Sequence, residues 1–298
     1  MRLEGVLAPV VTPFDPAGQL DLTGFRRNLQ SHLAAGLHGV VVTGSTGEAA
    51  LLDEAERAQV IEAARDVVPA GRPLIAGIGG ESTRGVIARA RTAASLGADA
   101  VLVVAPHYYG DAMTPEALRA HYERVADASP VPVLLYTIPK YMHFALAPAL
   151  VHELSRHANI VGMKDSSGDA TLFRQYMDAR SEGFQVLTGS GTLLGQAMQM
   201  GADGAILAVA LFAPVQASLV QAAVRDGDAD ALAGAQAHLT PLAAKIVAGL
   251  GVAGVKAALD AVGLAGGSPR EPLRPLDLAA RREVHALLEH ADLLAAMR

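Results

Sequence analysis

The chain has 298 residues, a net charge of −6, 51% hydrophobic and 18% charged residues, and no cysteine; this balance is globular rather than disordered, and it excludes disulfides, thiolate metal sites and cysteine nucleophiles, as suits a reducing cytoplasm. Arginines are scattered singly rather than gathered into a basic stripe, which argues against nucleic acid as a partner. The opening segment lacks the long apolar core and cleavage site of a secretory signal, and the longest uncharged stretch, residues 204–224, contains Pro214, Gln216, Ser218 and Gln221, so no membrane span is expected.

From the N-terminus, runs rich in Val, Ile and Leu recur at residues 5–10, 39–44, 73–79, 100–106, 131–137, 159–165, 184–190 and 204–209. None alternates cleanly between apolar and polar, which is the pattern of strands buried on both faces of a parallel sheet. Helical patterns lie between most of them. Residues 53–68 open on acids and continue with an apolar stripe at three-to-four spacing, and 114–127 opens on Thr-Pro, a strong helix start. Eight such alternations predict an α/β fold, a (β/α)8 TIM barrel over residues 1–210, with a doubly wound open sheet as the runner-up. After residue 210 the strands stop. Four helical segments predict a C-terminal helical extension over 211–298 that packs on the barrel or mediates assembly.

Several motifs fail on inspection. His152 and His157 in "HELSRH" are five residues apart, about 140° around a helix rather than on one zinc-binding face. "DGDADAL" (226–232) has Ala231 where a calcium loop needs glycine and Ala237 where it needs glutamate, so an acidic helix start explains it. "GIGGES" (77–82) is not a dinucleotide fingerprint.

In a barrel of this kind chemistry sits where the strands end. The second strand ends in Gly44-Ser45-Thr46-Gly47-Glu48. Two glycines let the backbone turn tightly and expose amides that suit a carboxylate, with the Ser45 and Thr46 hydroxyls able to relay a proton; a plain glycine turn capping the next helix stands as the alternative. The fourth strand ends in Pro106-His107-Tyr108-Tyr109 and the fifth in Tyr136-Thr137-Ile138-Pro139, so three of the chain's six tyrosines lie at these two ends. The sixth ends in Lys164. With four lysines against twenty arginines, arginine is this protein's default surface cation, and an amine, unlike a guanidinium, can lose its proton in a desolvated pocket and attack a carbonyl. Lys245 and Lys256 fall on the terminal helices and read as structural; Lys140, after the fifth strand, borders the site. A carboxylate cradle, phenols and one strand-end lysine suit Schiff-base chemistry on a small-molecule 2-oxo acid.

These residues make the chain similar to the pyruvate-dependent class I aldolases and lyases, the family of dihydrodipicolinate synthase and N-acetylneuraminate lyase. The resemblance spans nearly the whole length and rests on the GxxGE turn (44–48), "PHYY" (106–109), "LLYTIP" (134–139), "GMKDSSGD" (162–169), "TGSG" (188–191) and their order. Within the family the chain looks most like 4-hydroxy-2-oxoglutarate aldolase; dihydrodipicolinate synthase and a 2-oxo-3-deoxy sugar acid aldolase or dehydratase are the alternatives, and a catalytically silent binding protein is the reading from another class. The resemblance implies that Lys164 forms the Schiff base, that Tyr136 handles protons beside it, and that Tyr108, or less well Tyr109, reaches in from a neighbouring subunit to complete a relay with Ser45. It also implies that Ser45 and Thr46, in the turn shaped by Gly44 and Gly47, bind the pyruvyl carboxylate, that Gly189 and Ile206 line the pyruvyl site, and that the protein is a cytoplasmic homotetramer with no metal or organic cofactor. Tyr141 stands where the synthases usually place the arginine that binds the second substrate's carboxylate, and Met142-His143 replace the usual Thr/Ser-Gly pair. Tyr141, His143 and Lys140 are therefore candidates for recognising the variable part of the substrate.

Overall fold

The apolar runs form eight short parallel strands in a computed structural model of the chain, which describes residues 3–294. They are β1 (Gly5–Pro9), β2 (Gly39–Val42), β3 (Leu74–Gly77), β4 (Ala100–Val104), β5 (Val133–Thr137), β6 (Ile160–Asp165), β7 (Gln185–Thr188) and β8 (Gly204–Ile206). Each pairs with its sequence neighbour and β8 returns to β1, closing a barrel in the order β1 to β8. This is a TIM barrel, and it excludes the open sheet. The strand residues are almost all buried, because the barrel interior takes one face and the surrounding helices take the other.

The helices begin where local chemistry starts them. Between β1 and β2 lies α1 (Leu22–Ala34), capped by Asp21. After β2, Asp53 and Glu56 form a reciprocal capping box that starts α2 (Glu54–Arg65). Helix α3 (Thr83–Ser95) is capped by Ser82, and α4 (Pro115–Ala128) by Thr114 with proline in its first turn. The short α5 (Pro139–Met142) and α6 (Pro148–Leu154) follow β5. Only His152 of the "HELSRH" pair lies on α6; His157 sits beyond its end, 3.1 Å from Asp127. Helices α7 (Ala170–Met177), α8 (Leu194–Gln199) and α9 (Pro214–Asp226) follow β6, β7 and β8.

Beyond them come α10 (Ala229–Pro241), begun by Asp228 rather than by any calcium loop, then a π-helical stretch at Leu242–Gly249, α11 (Gly251–Ala261) and α12 (Leu278–His290). The π stretch directly follows Pro241, which has no N–H to continue the regular ladder. Residues 295–297 of the predicted last helix lie outside the described residues. No helix among the described residues is long and apolar enough to cross a membrane.

Candidate active site

Register decides which side chains meet. In the β5–β6 ladder Tyr136 stands opposite Lys164 and Thr137 opposite Asp165. Side chains alternate across a strand, so Tyr136 and Lys164 project to the same side at the C-terminal mouth. The Lys164 Nζ lies 4.5 Å from the centroid of the Tyr136 ring. Both are buried, Lys164 at 6% exposure, and both line a cavity of about 320 Å³ with Ser45, Thr46, Gly189 and Ile206.

Burial sets the protonation of the site. It pulls the Lys164 amine from its ordinary 10.5 down to about 7, against the attraction of Asp165. It also raises Asp165 to about 6, although that carboxylate accepts from the Ser167 amide and hydroxyl at 2.9 and 2.8 Å. The Tyr136 phenol is pushed up by burial, while hydrogen bonds with Ser166 and Ser45 work in the opposite direction. An amine that is partly neutral near pH 7 thus faces a protonated phenol linked to two hydroxyls. Such an arrangement can attack a carbonyl and shuttle the protons that addition and dehydration require.

The turn after β2 is tightly determined. Thr43 lies at φ 49° with its hydroxyl donating to Gly77 O at 2.9 Å. A β-branched residue in the left-handed region is strained, typically by about 1–3 kcal/mol. The next residues curl back through Gly47 N to Gly44 O (3.1 Å), Glu48 N to Ser45 O (3.2 Å) and Ala49 N to Gly44 O (3.2 Å), and the Thr12 hydroxyl donates to Gly47 O at 2.8 Å. A β-carbon at Gly47 would stand 3.0 Å from Val10 O. Among the described residues no acceptor takes the Ser45 and Thr46 amides. Two free N–H groups at the edge of the Lys164 cavity can bind a carboxylate. Gly44 and Gly47 shape this turn rather than line that cavity.

Gly189, just past β7, has no room for a side chain. A β-carbon there would lie 2.7 Å from Lys164 Cε and would collide with Ser166 Oγ. Its amide donates to Asp165 O at 2.6 Å, holding the ends of β6 and β7 together beneath the amine.

Three of the candidates from the sequence lie elsewhere. Tyr108 and Tyr109 are 76% and 69% exposed, and with His143 they line a separate surface hollow. The amides of His107 and Tyr108 both donate to Glu81 at 2.9 Å, fixing that loop away from Lys164. His143 ends α5 in the left-handed conformation at φ 63°, and the chain turns off the barrel mouth there. Tyr141, by contrast, lines the Lys164 cavity, as does Lys140, whose ammonium donates to Ala248 O at 2.7 Å.

Sequence reasoning missed two sets of lining groups. Ser166, Ser167, Ser190 and Thr192 bring hydroxyls to the cavity; the serine pair directly after Lys164 was the available signal. The opposite wall comes from the C-terminal region, with Ala243, Val247, Val252 and Val255. No sequence pattern ties those residues to the barrel mouth.

Comparison with known proteins fits this geometry. Residues 2–291 match the model of the dihydrodipicolinate synthetase family. A 4-hydroxy-tetrahydrodipicolinate synthase of Methanoculleus marisnigri is 36% identical over 96% of this chain and 98% of its own. A DapA-like lyase of Halobacterium salinarum, itself uncharacterized, is 38% identical over 99% of this chain and 96% of its own. Among solved structures, the chloride-inhibited dihydrodipicolinate synthase of Acinetobacter baumannii, complexed with pyruvate, superposes with a TM-score of 0.92 at 32% identity, covering 97% of this chain and 99% of that one. YagE of E. coli K12, a prophage protein solved in complex with pyruvate, gives 0.91 at 31% identity over 98% and 99%.

Proposed function

The chain belongs to the dihydrodipicolinate synthetase family and is a pyruvate-dependent lyase of the class I aldolase type, and from that premise we propose that Lys164 is its Schiff-base lysine. The observation that carries this assignment is a desolvated amine, drawn down to about 7, set 4.5 Å from the Tyr136 ring beside two unpaired amides. The Ser45 and Thr46 amides hold the pyruvyl carboxylate. The neutral Lys164 Nζ adds to the C2 carbonyl, Tyr136 delivers a proton to the carbinolamine oxygen, and water leaves to give a protonated imine. In the cleavage direction a base at Tyr136 takes the C4 hydroxyl proton and the C3–C4 bond breaks. Its electron pair passes into the imine, leaving the enamine and an aldehyde. Protonation at C3 and hydrolysis return pyruvate and free Lys164. Read backwards, the same steps are an aldol addition. Ser45 and Ser166 connect the phenol to the cavity, and Tyr108 of a neighbouring copy completes the relay in a cytoplasmic homotetramer.

For pyruvate's reaction partner, the relatives' name, 4-hydroxy-tetrahydrodipicolinate synthase, favours a condensing enzyme of that kind over 4-hydroxy-2-oxoglutarate aldolase. A second reading, a 2-oxo-3-deoxy sugar acid aldolase or dehydratase, has its own support. Tyr141 stands where a synthase would carry a carboxylate-binding arginine, and Ser167, Ser190 and Thr192 offer hydroxyls to a polyhydroxylated chain. Borohydride reduction with pyruvate should trap an adduct on Lys164 by mass spectrometry, and an adduct on another residue, or none, defeats the assignment. A screen of 2-oxo-3-deoxy sugar acids for pyruvate release or for a dehydrated oxo acid product, with Lys164→Ala as control, separates the two partner readings.

A further inference from the structure

This chemistry leaves one buried amine unused. Lys256, on α11, has its Nζ 2.5 Å from Oε1 of Glu48, the last residue of the turn after β2, and both side chains are fully shielded from solvent. Nζ also donates to Ser268 O at 3.0 Å and lies 4.4 Å from the centroid of the Phe14 ring. The other Glu48 oxygen accepts from the Arg270 amide at 2.7 Å. The Arg270 guanidinium stacks 4.2 Å from the same Phe14 ring, binds both oxygens of Glu56 at 2.6 Å, and donates to Leu51 O and Gly18 O. Phe14, which follows β1, thus contacts two cations from the C-terminal region, and both cations reach the loop after β2.

A buried ion pair is weak as a stabilising device, because taking two charges out of water costs about what their attraction returns. What the pair does supply is a fixed position. Glu48 sits at φ 56°, in the left-handed region, and its own amide closes on Ser45 O. Its carboxylate is gripped from two sides, so the exit of the turn that exposes the Ser45 and Thr46 amides is pinned. The entrance is pinned independently by the Thr43 hydroxyl on Gly77 O, and Thr12 adds a bond to Gly47 O beside Glu48. Lys256 also adjoins Val255, and Val252 lies one turn earlier; both face the Lys164 cavity. A single contact therefore ties the carboxylate-binding edge of the cavity to its opposite wall.

We propose that Glu48 and Lys256 are positioning residues for pyruvate: their pairing holds the Ser45–Thr46 amides at carboxylate-binding geometry and seats α11 across the cavity, without either side chain touching the substrate. The proposal rests on Lys164 being the imine-forming amine, and the test separates the two. The fraction of protein trapped by borohydride is measured against pyruvate concentration for the full chain, Glu48→Gln, Glu48→Gln/Lys256→Met and, as a control for lysine removal, Lys245→Met on the exposed side of the π stretch. In the double variant the half-saturating pyruvate concentration should rise about tenfold, equivalent to about 1.4 kcal/mol, while the plateau of trapped Lys164 is unchanged. Glu48→Gln keeps the acceptor for the Arg270 amide and should show a smaller rise in the same direction. Lys245→Met should match the parent. A purely structural pair would lower the melting temperature and leave half-saturation where it was, and that result in either folded variant overturns the proposal. If the double variant does not fold, Glu48→Gln alone decides by the same criterion. Failure to trap Lys164 in the parent chain would instead remove the reading on which the proposal rests.

Discussion

Replacing Lys164 with methionine should make the protein more stable, by an amount that depends on pH. The amine is drawn from 10.5 to about 7 because its charged form is desolvated. At about 1.36 kcal/mol per tenfold, that drop is a penalty of roughly 5 kcal/mol on the protonated folded state. Between these two values the unfolded chain carries the proton and the folded chain does not, so unfolding free energy rises with pH across that window. The penalty is fully present below pH 7 and has vanished above 10.5. Methionine fills a similar volume and pays none of it. Asp165 is raised to about 6 by its own burial and titrates below the window, so it largely cancels in the difference between the two proteins. Urea unfolding of parent and variant from pH 6 to pH 10 measures that difference. The variant's advantage should shrink by several kcal/mol as the pH rises. A difference that stays flat would show that Lys164 titrates as an ordinary lysine. The functional counterpart is large: at pH 7 about half of such amines are neutral, against roughly one in three thousand at 10.5.

Three further outcomes are expected. Tyr136→Phe should slow imine formation by about 10²–10⁴-fold, the usual worth of a positioned proton donor, with the fold retained by circular dichroism; a rate within threefold of the parent would remove Tyr136 from the proton path. Gly189→Ala forces a methyl group to within 2.7 Å of Lys164 Cε and, by misplacing the amine, should slow borohydride trapping about a hundredfold. Normal trapping by that variant would show that the amine has another pose. Tyr108→Phe should reduce turnover in the assembled protein while Tyr109→Phe leaves it nearly intact, and the opposite order would exchange their roles.

All eight strands were legible because both their faces are buried, which leaves an uninterrupted apolar signature in the sequence. Their ends were less so. The second run was expected to reach Gly44, but β2 stops at Val42 because Thr43 turns into the left-handed region, a tertiary demand that threonine's strand preference conceals. Lys164 stood out through composition, as a rare lysine in an arginine-rich chain. Lys256 was equally rare and was set aside as structural, since its partner Glu48 is brought to it only by closure of the barrel and docking of α11. The wall made by Val247, Val252 and Val255 was hidden for the same reason. His143 follows Tyr141 closely in sequence, yet it lies in the left-handed region at the end of α5 and lines the hollow of Tyr108 and Tyr109 rather than the Lys164 cavity, a separation that sequence neighbourhood does not reveal.

The β5–β6 ladder contains one irregularity. Val133 pairs with Ile160, but the next step on β5, Leu134, pairs with Gly162. Three steps along β5 from Val133 to Tyr136 therefore match four along β6 from Ile160 to Lys164. Had pairing continued without the offset, Met163 would stand opposite Tyr136, and the strand's alternation would turn Lys164 outward toward the helices. The orientation of the amine is thus a matter of parity, set by one supernumerary residue at the start of the strand. Loops beyond the strand ends can change length without disturbing it, whereas one residue gained or lost between Gly162 and Lys164 inverts it.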